Sequence, residues 1–174
     1  LTWDPGLVAM SANRGILDGP AVGVVSQTIG DGLHIAAAPP APHQVTAALT
    51  AMGEKAAASL AAALDVRAFV DCGRLTAASP AMPLARRAAM TILVCRPTLE
   101  EVHTLLPGVV ELRDAGCALG LVVVGDGPYH PTEIAEAVTI ELLGHVPFDE
   151  RAAQAWNTDG LNAGRSLRKS PLAR

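Results

Sequence analysis

The stretch that most constrains the fold is Arg67-Ala68-Phe69-Val70-Asp71-Cys72-Gly73-Arg74, where a short apolar run ends abruptly in an acid, a small residue and a glycine. Strands of a parallel sheet, buried on both faces, read as continuous apolar runs of this kind. In open α/β sheets ligands sit just beyond their carboxyl ends. Asp71 is therefore a candidate for chemistry, although Asp and Gly also build ordinary turns and the same residues read as a cap on the next one. The figure recurs along the chain. Residues 33–38 stop at Pro39-Pro40, residues 90–95 at Arg96-Pro97-Thr98, Leu119–Val124 at Gly125-Asp126-Gly127-Pro128, and residues 140–146 at Pro147-Phe148-Asp149-Glu150.

Between these runs the pattern turns helical. Residues 45–64 are Ala-rich and free of proline, with Gly53 as the weak point, which predicts a long helix. Thr98 with Glu100 and Glu101 supplies a hydroxyl cap and acids at a helix start. That helix should reach about Ala115 before Gly116 ends it, and Pro107 should kink or divide it. Pro131 opens a helix to about Val138, and a last one should cover residues 149–157. Shorter helices are expected over residues 7–12 and 84–88, and residues 21–29 suit a helix or a strand. Two-residue hairpin turns between apolar runs are absent. Alternating strands and helices indicate βαβ units, so a mostly parallel sheet with helices on both faces is expected, as one α/β domain over residues 1–174.

Composition narrows the function. Half of the 174 residues are apolar but only 3% are aromatic, so the core must come from Ala, Val, Leu and Ile, which favours helices packed closely on a sheet. A net charge of −4 argues against a surface that is wholly a nucleic-acid footprint. Cys72, Cys95 and Cys117 are odd in number and set in or beside apolar runs, which indicates neither a disulfide framework nor a zinc site and suits a reducing cytoplasm. His34, His43, His103, His130 and His145 lack metal-ligand spacing, and no Gly-x-Ser-x-Gly elbow is present. Residues 165–174 hold four of the thirteen basic residues and no acid, so the polar tail from residue 158 onward is a candidate contact for DNA or anionic lipid, or a solvated terminus. The sequence starts at Leu1 rather than Met, which reads as a fragment or a processed chain.

Right-handed crossovers place all strand carboxyl ends on one edge, so Asp71, Asp126 and Asp149 are expected there, where acids suit magnesium and phosphate. Each also suits simple capping, Asp149 above all, because it opens a helix. The usual companion of such acids is a phosphate-binding loop with a lysine. Gly160-Leu161-Asn162-Ala163-Gly164-Arg165-Ser166 follows no strand, lacks the lysine and reads as a loop.

From about Leu33 to Ala155 the chain resembles the MinD/ParA family of deviant P-loop ATPases. The likeness rests on Phe69-Val70-Asp71-Cys72-Gly73, on Arg86-Arg87-Ala88-Ala89-Met90-Thr91-Ile92-Leu93-Val94, on Arg96-Pro97-Thr98 and on Leu121-Val122-Val123-Val124-Gly125. The most specific match is Leu143-Gly144-His145-Val146-Pro147-Phe148-Asp149-Glu150. This resemblance implies ATP with magnesium, and a homodimer formed when nucleotide is bound. It also implies a cargo or adaptor partner, such as chromosome or plasmid DNA or a cell-envelope machine, and a cytoplasmic place at the nucleoid or membrane surface. It implies that Asp71 supports magnesium through water and that Gly73 and Arg74 belong to the segment sensing the terminal phosphate. Gly125, Asp126, Pro147 and Phe148, with Asp149 beside them, would surround the adenine. The chain departs from the family in Cys72-Gly73, where prolines are usual, in Gly125-Asp126, where an asparagine is usual, and in lacking the first strand and P-loop. Weak ATP binding without turnover is therefore expected of this chain. Two other readings compete: a non-hydrolysing scaffold or interaction module on the same sheet, and a receiver-like domain with Asp71 as phosphoacceptor. The latter needs acids at an earlier strand end that residues 33–40 do not have.

Overall fold

The structure is a computed structural model that describes residues 2–13, 17, 19–29, 32–63, 67–159 and 170. The chain forms two compact units, residues 1–89 with 115–117, and residues 90–114 with 118–174.

In the first unit, α1 (Leu7–Ala12) and α2 (Gly19–Val24) precede β1 (Gln27–Ile29) and β2 (Leu33–Ile35), and these are followed by α3 (Pro42–Ala62) and α4 (Met82–Arg87). Alanines give α3 little bulk, so α1 packs close to it around Leu17, Met52 and Ala56, with Leu7, Met10, Val22 and Leu60 alongside. The Ser59 hydroxyl accepts the Leu17 N–H at 2.8 Å. The helix bends at Gly53, whose backbone leaves the helical region.

Two expected strands are corrected here. Residues 33–38 do not form a buried parallel strand. Only Leu33–Ile35 is strand, and it pairs antiparallel with β1 as a hairpin, Ile29 facing Leu33 across residues 30–32. The signal in the sequence is Gly30-Asp31-Gly32, a connection one residue longer than the two-residue loops that mark the commonest hairpins. His34 interrupts the apolar run and reaches the Ser26 hydroxyl at 3.2 Å. Ala68 to Asp71 is not a strand either. It has no ladder partner among the described residues, and Phe69 is 86% exposed. An apolar run becomes a strand only when a neighbour takes its backbone hydrogen bonds.

The second unit follows the expected pattern. Strands β3 (Thr91–Cys95), β4 (Leu119–Val124) and β5 (Glu141–Val146) are parallel in the order β3-β4-β5, with α5 (Leu99–Asp114) and α6 (Pro131–Val138) as the crossovers and α7 (Glu150–Asp159) following β5. This is an α/β fold built on a parallel sheet. Cys95, Leu121 and Val123 pack against Val109 of α5 and against Ile134, Ala135 and Val138 of α6, with Ile140 completing the cluster. Fully burying side chains such as Leu121 and Val123 contributes about 1.5–3 kcal/mol each. The edge strands β3 and β5 alternate instead, leaving Ile92, Val94 and Leu143 exposed.

Pro107 does not divide α5, which runs through it as one element. Arg113 near the end of α5 donates to the carbonyls of Val138 and Thr139 at 3.2 and 2.9 Å, satisfying oxygens that the end of α6 leaves free. No helix among the described residues is long and apolar enough to cross a membrane.

Candidate functional site

The site is built where β3, β4 and β5 end. In β5 the register slips by one residue: Leu121 faces Leu142, and Val122 faces Gly144. That bulge at Leu143 brings Val124 and Val146 level, so the Gly125 N–H donates to the Val146 carbonyl at 2.8 Å. His145 Nε2 lies 2.8 Å from the Gly125 oxygen and holds the turn from the other side.

Two glycines in this turn are required by geometry. Gly125 has φ 78, which L side chains rarely adopt, and a Cβ there would stand 3.1 Å from Phe148 Cβ. At Gly127 a Cβ would fall on the carbonyl oxygen and ring of Pro97. The turn after β4 therefore lies against both the turn after β3 and the turn after β5.

Arg96 and Phe148 close this group, the guanidinium carbon standing 5.0 Å from the centre of the Phe148 ring, a cation–π arrangement that leaves the ring 56% exposed. The Arg96 N–H donates to Glu101 Oε2 at 2.6 Å, and the Thr98 hydroxyl accepts the Glu101 N–H at 3.4 Å, so the first turn of α5 fixes the loop carrying Arg96. At the start of α6, His130 and Glu133 form a capping box. Neither the Arg96–Phe148 stack nor the role of Pro97 was read from the sequence. The available signal was that Arg96-Pro97 follows β3 in the position that Gly125-Asp126-Gly127 holds after β4.

The three strand-end acids differ in what their carboxylates do. Asp149 Oδ1 accepts the Ala152 N–H at 2.9 Å, and Oδ2 accepts the Ser170 hydroxyl at 2.8 Å. The Ala152 amide, then the Ser170 hydroxyl, hold its pKa below the ordinary carboxylate value. Asp149 thus caps α7, as its position at a helix start suggested. Asp71 lies in the first unit on an exposed turn, where its Oδ1 accepts the Gly73 N–H at 2.9 Å. Gly73 there has φ 56, and Arg74 is exposed. Burial, then the Asp71 charge, pushes the neighbouring Cys72 thiol up. Burial, then Glu101, does the same to Cys95, so neither thiol is disposed to act as a thiolate nucleophile. Asp126 is exposed and accepts no hydrogen bond among the described residues.

Of the residues singled out from the sequence, Gly125, Asp126, Pro147, Phe148 and Asp149 thus share one sheet end, while Asp71, Gly73 and Arg74 form a separate turn. Nearly all of the tail after residue 158 lies outside the described residues.

The sheet-end residues fit a planar base: small backbone turns allow close approach, an aromatic ring has open surface, and one carboxylate is uncommitted. Among the described residues no three His, Cys, Asp or Glu side chains are grouped to hold a metal ion directly. A single carboxylate such as Asp71 suits magnesium that arrives on phosphates and keeps its waters.

No family model matches the sequence, and no curated protein matches it. The fold is similar to the crystal structure of a ParA family ATPase from Chlorobium tepidum TLS, with a TM-score of 0.71 and 17% identity over 99% of this chain and 72% of that one. At that identity the likeness establishes a ParA-like fold.

Proposed function

We propose that this chain is a nucleotide-responsive protein of the ParA type, whose sheet end at Arg96-Pro97, Gly125-Asp126-Gly127 and Pro147-Phe148 receives the base of a purine nucleoside triphosphate. The observation that carries this reading is the convergence of the three turns on the open Phe148 ring, at the edge of a parallel sheet where α/β folds bind ligands. The ParA-like fold supports it.

In this reading Asp71 supports magnesium through water, and Gly73 and Arg74 respond to the terminal phosphate. Bound nucleotide drives formation of a homodimer that positions a cargo or adaptor in the cytoplasm, with ATP as the nucleotide that the family resemblance names.

The test is equilibrium dialysis of the chain against ATP and GTP, each with magnesium, and of Phe148→Ala beside it. Losing a base–aromatic contact costs about 1–3 kcal/mol, so Phe148→Ala should weaken binding by roughly ten-fold or more while leaving the circular dichroism unchanged. Binding of neither nucleotide by the unaltered chain contradicts the proposal. Sedimentation with and without the bound nucleotide tests the dimer.

A further inference from the structure

Resting on the nucleotide reading above, we infer that the base this site selects is guanine, read by the Asp126 carboxylate. The three strand-end acids supply the contrast. Asp71 accepts its own Gly73 amide, and Asp149 accepts the Ala152 amide and the Ser170 hydroxyl, so part or all of each carboxylate is committed to local structure. Asp126 makes no such bond among the described residues, although it sits in a turn where an acid ordinarily folds back onto a nearby amide.

Its backbone is nonetheless held on both sides. Gly125 is tied to Val146 and His145, and Gly127 abuts Pro97. A carboxylate on a fixed turn and open to a ligand is a pair of acceptors with no donor.

Purines present different edges to such a group. Guanine offers two adjacent donors, N1–H and the 2-amino group, which match both carboxylate oxygens. Adenine offers one donor, its 6-amino group, beside the N1 lone pair, which a carboxylate repels. A hydrogen bond to a charged group contributes about 1.5–3 kcal/mol, which corresponds to roughly 10- to 100-fold in favour of guanine. An amide reverses part of this logic. The side-chain amide that Asp126→Asn introduces could accept from N1–H of xanthine and donate to its 2-oxo group, whereas the 2-amino group of guanine would meet the amide NH2.

The experiment is competition among GDP, ADP and xanthosine diphosphate, followed by ligand-detected NMR on the full 174-residue chain and on Asp126→Asn. The unaltered chain should hold GDP at least ten-fold more tightly than ADP, and Asp126→Asn should lose that margin and favour xanthosine diphosphate. If the unaltered chain prefers ADP, or holds both equally, the inference is overturned while the nucleotide reading stands. If it prefers GDP and Asp126→Asn keeps the same preference, Asp126 is not the reader. If it binds none of the three, both readings fall together.

Discussion

Leu119–Val124 and residues 67–71 are both short apolar-rich stretches that end at an acid-bearing turn, yet they come to opposite ends. The first lies in the middle of a parallel sheet, hydrogen-bonded to β3 and β5, with Leu121 and Val123 fully buried under α5 and α6. The second is extended, exposed and unpaired among the described residues, with Phe69 and Val70 facing solvent. Apolar character alone therefore does not make a strand. Neighbours on both sides and a helix over one face do.

The largest effect that sharpens this contrast is Leu121→Asp against Phe69→Asp. An unpaired charge placed at Leu121 should lower the stability of its unit by several kcal/mol, and at Phe69 the same change should stay within about 0.5 kcal/mol. Urea midpoints for the two variants measure this, and equal losses would break the comparison. Val122, which the apolar run marks as fully buried, is only half-buried and should be milder than Leu121.

Next in size is Gly127→Ala, whose new methyl must displace the Pro97 backbone. A cost of about 1–3 kcal/mol is expected, as for overpacked sites, whereas Gly73→Ala, with nothing within 4 Å of its Cβ position, meets only the penalty of a positive φ. Thermal midpoints of the two variants separate the clash from the backbone penalty.

A smaller, pH-dependent effect belongs to Asp149. Its pKa is depressed in the folded chain, so its contribution is present above the ordinary carboxylate range and is lost as pH falls through the folded value. Unfolding midpoints followed from neutral to acid pH should therefore fall more steeply for the unaltered chain than for Asp149→Ala.

The smallest is a gain. Thr139 ends α6 at φ 55, a conformation costly for a β-branched residue. Thr139→Gly should raise the thermal midpoint, by an amount equivalent to up to about 1 kcal/mol.

These differences mark what was legible in the sequence. β3, β4, β5 and the helices between them were readable because each apolar run is followed by a proline or glycine stop and then by a capped helix, so local signals agree with the sheet that forms. The hairpin of β1 and β2 was not, because the residue that aims β2 is His34, whose partner Ser26 lies eight positions earlier. The run at residues 67–71 misled because pairing is a long-range property that no local pattern carries.

At the site, Gly125, Asp126 and Phe148 were found from strand-end position. The stacking of Arg96 on Phe148 was not, since it depends on how β3 and β5 flank β4. The helix cap at Asp149 was visible in the sequence. Its bond to Ser170, 21 positions away, was not.

The central claim is that the end of the β3-β4-β5 sheet holds the base. It is tested most directly by following backbone amide chemical shifts of the isotope-labelled chain as GDP or ATP with magnesium is added. Shifts that saturate together at Gly125, Asp126, Gly127 and Phe148 are the expected result. Saturable binding that leaves those amides unmoved, with changes confined elsewhere, would contradict it.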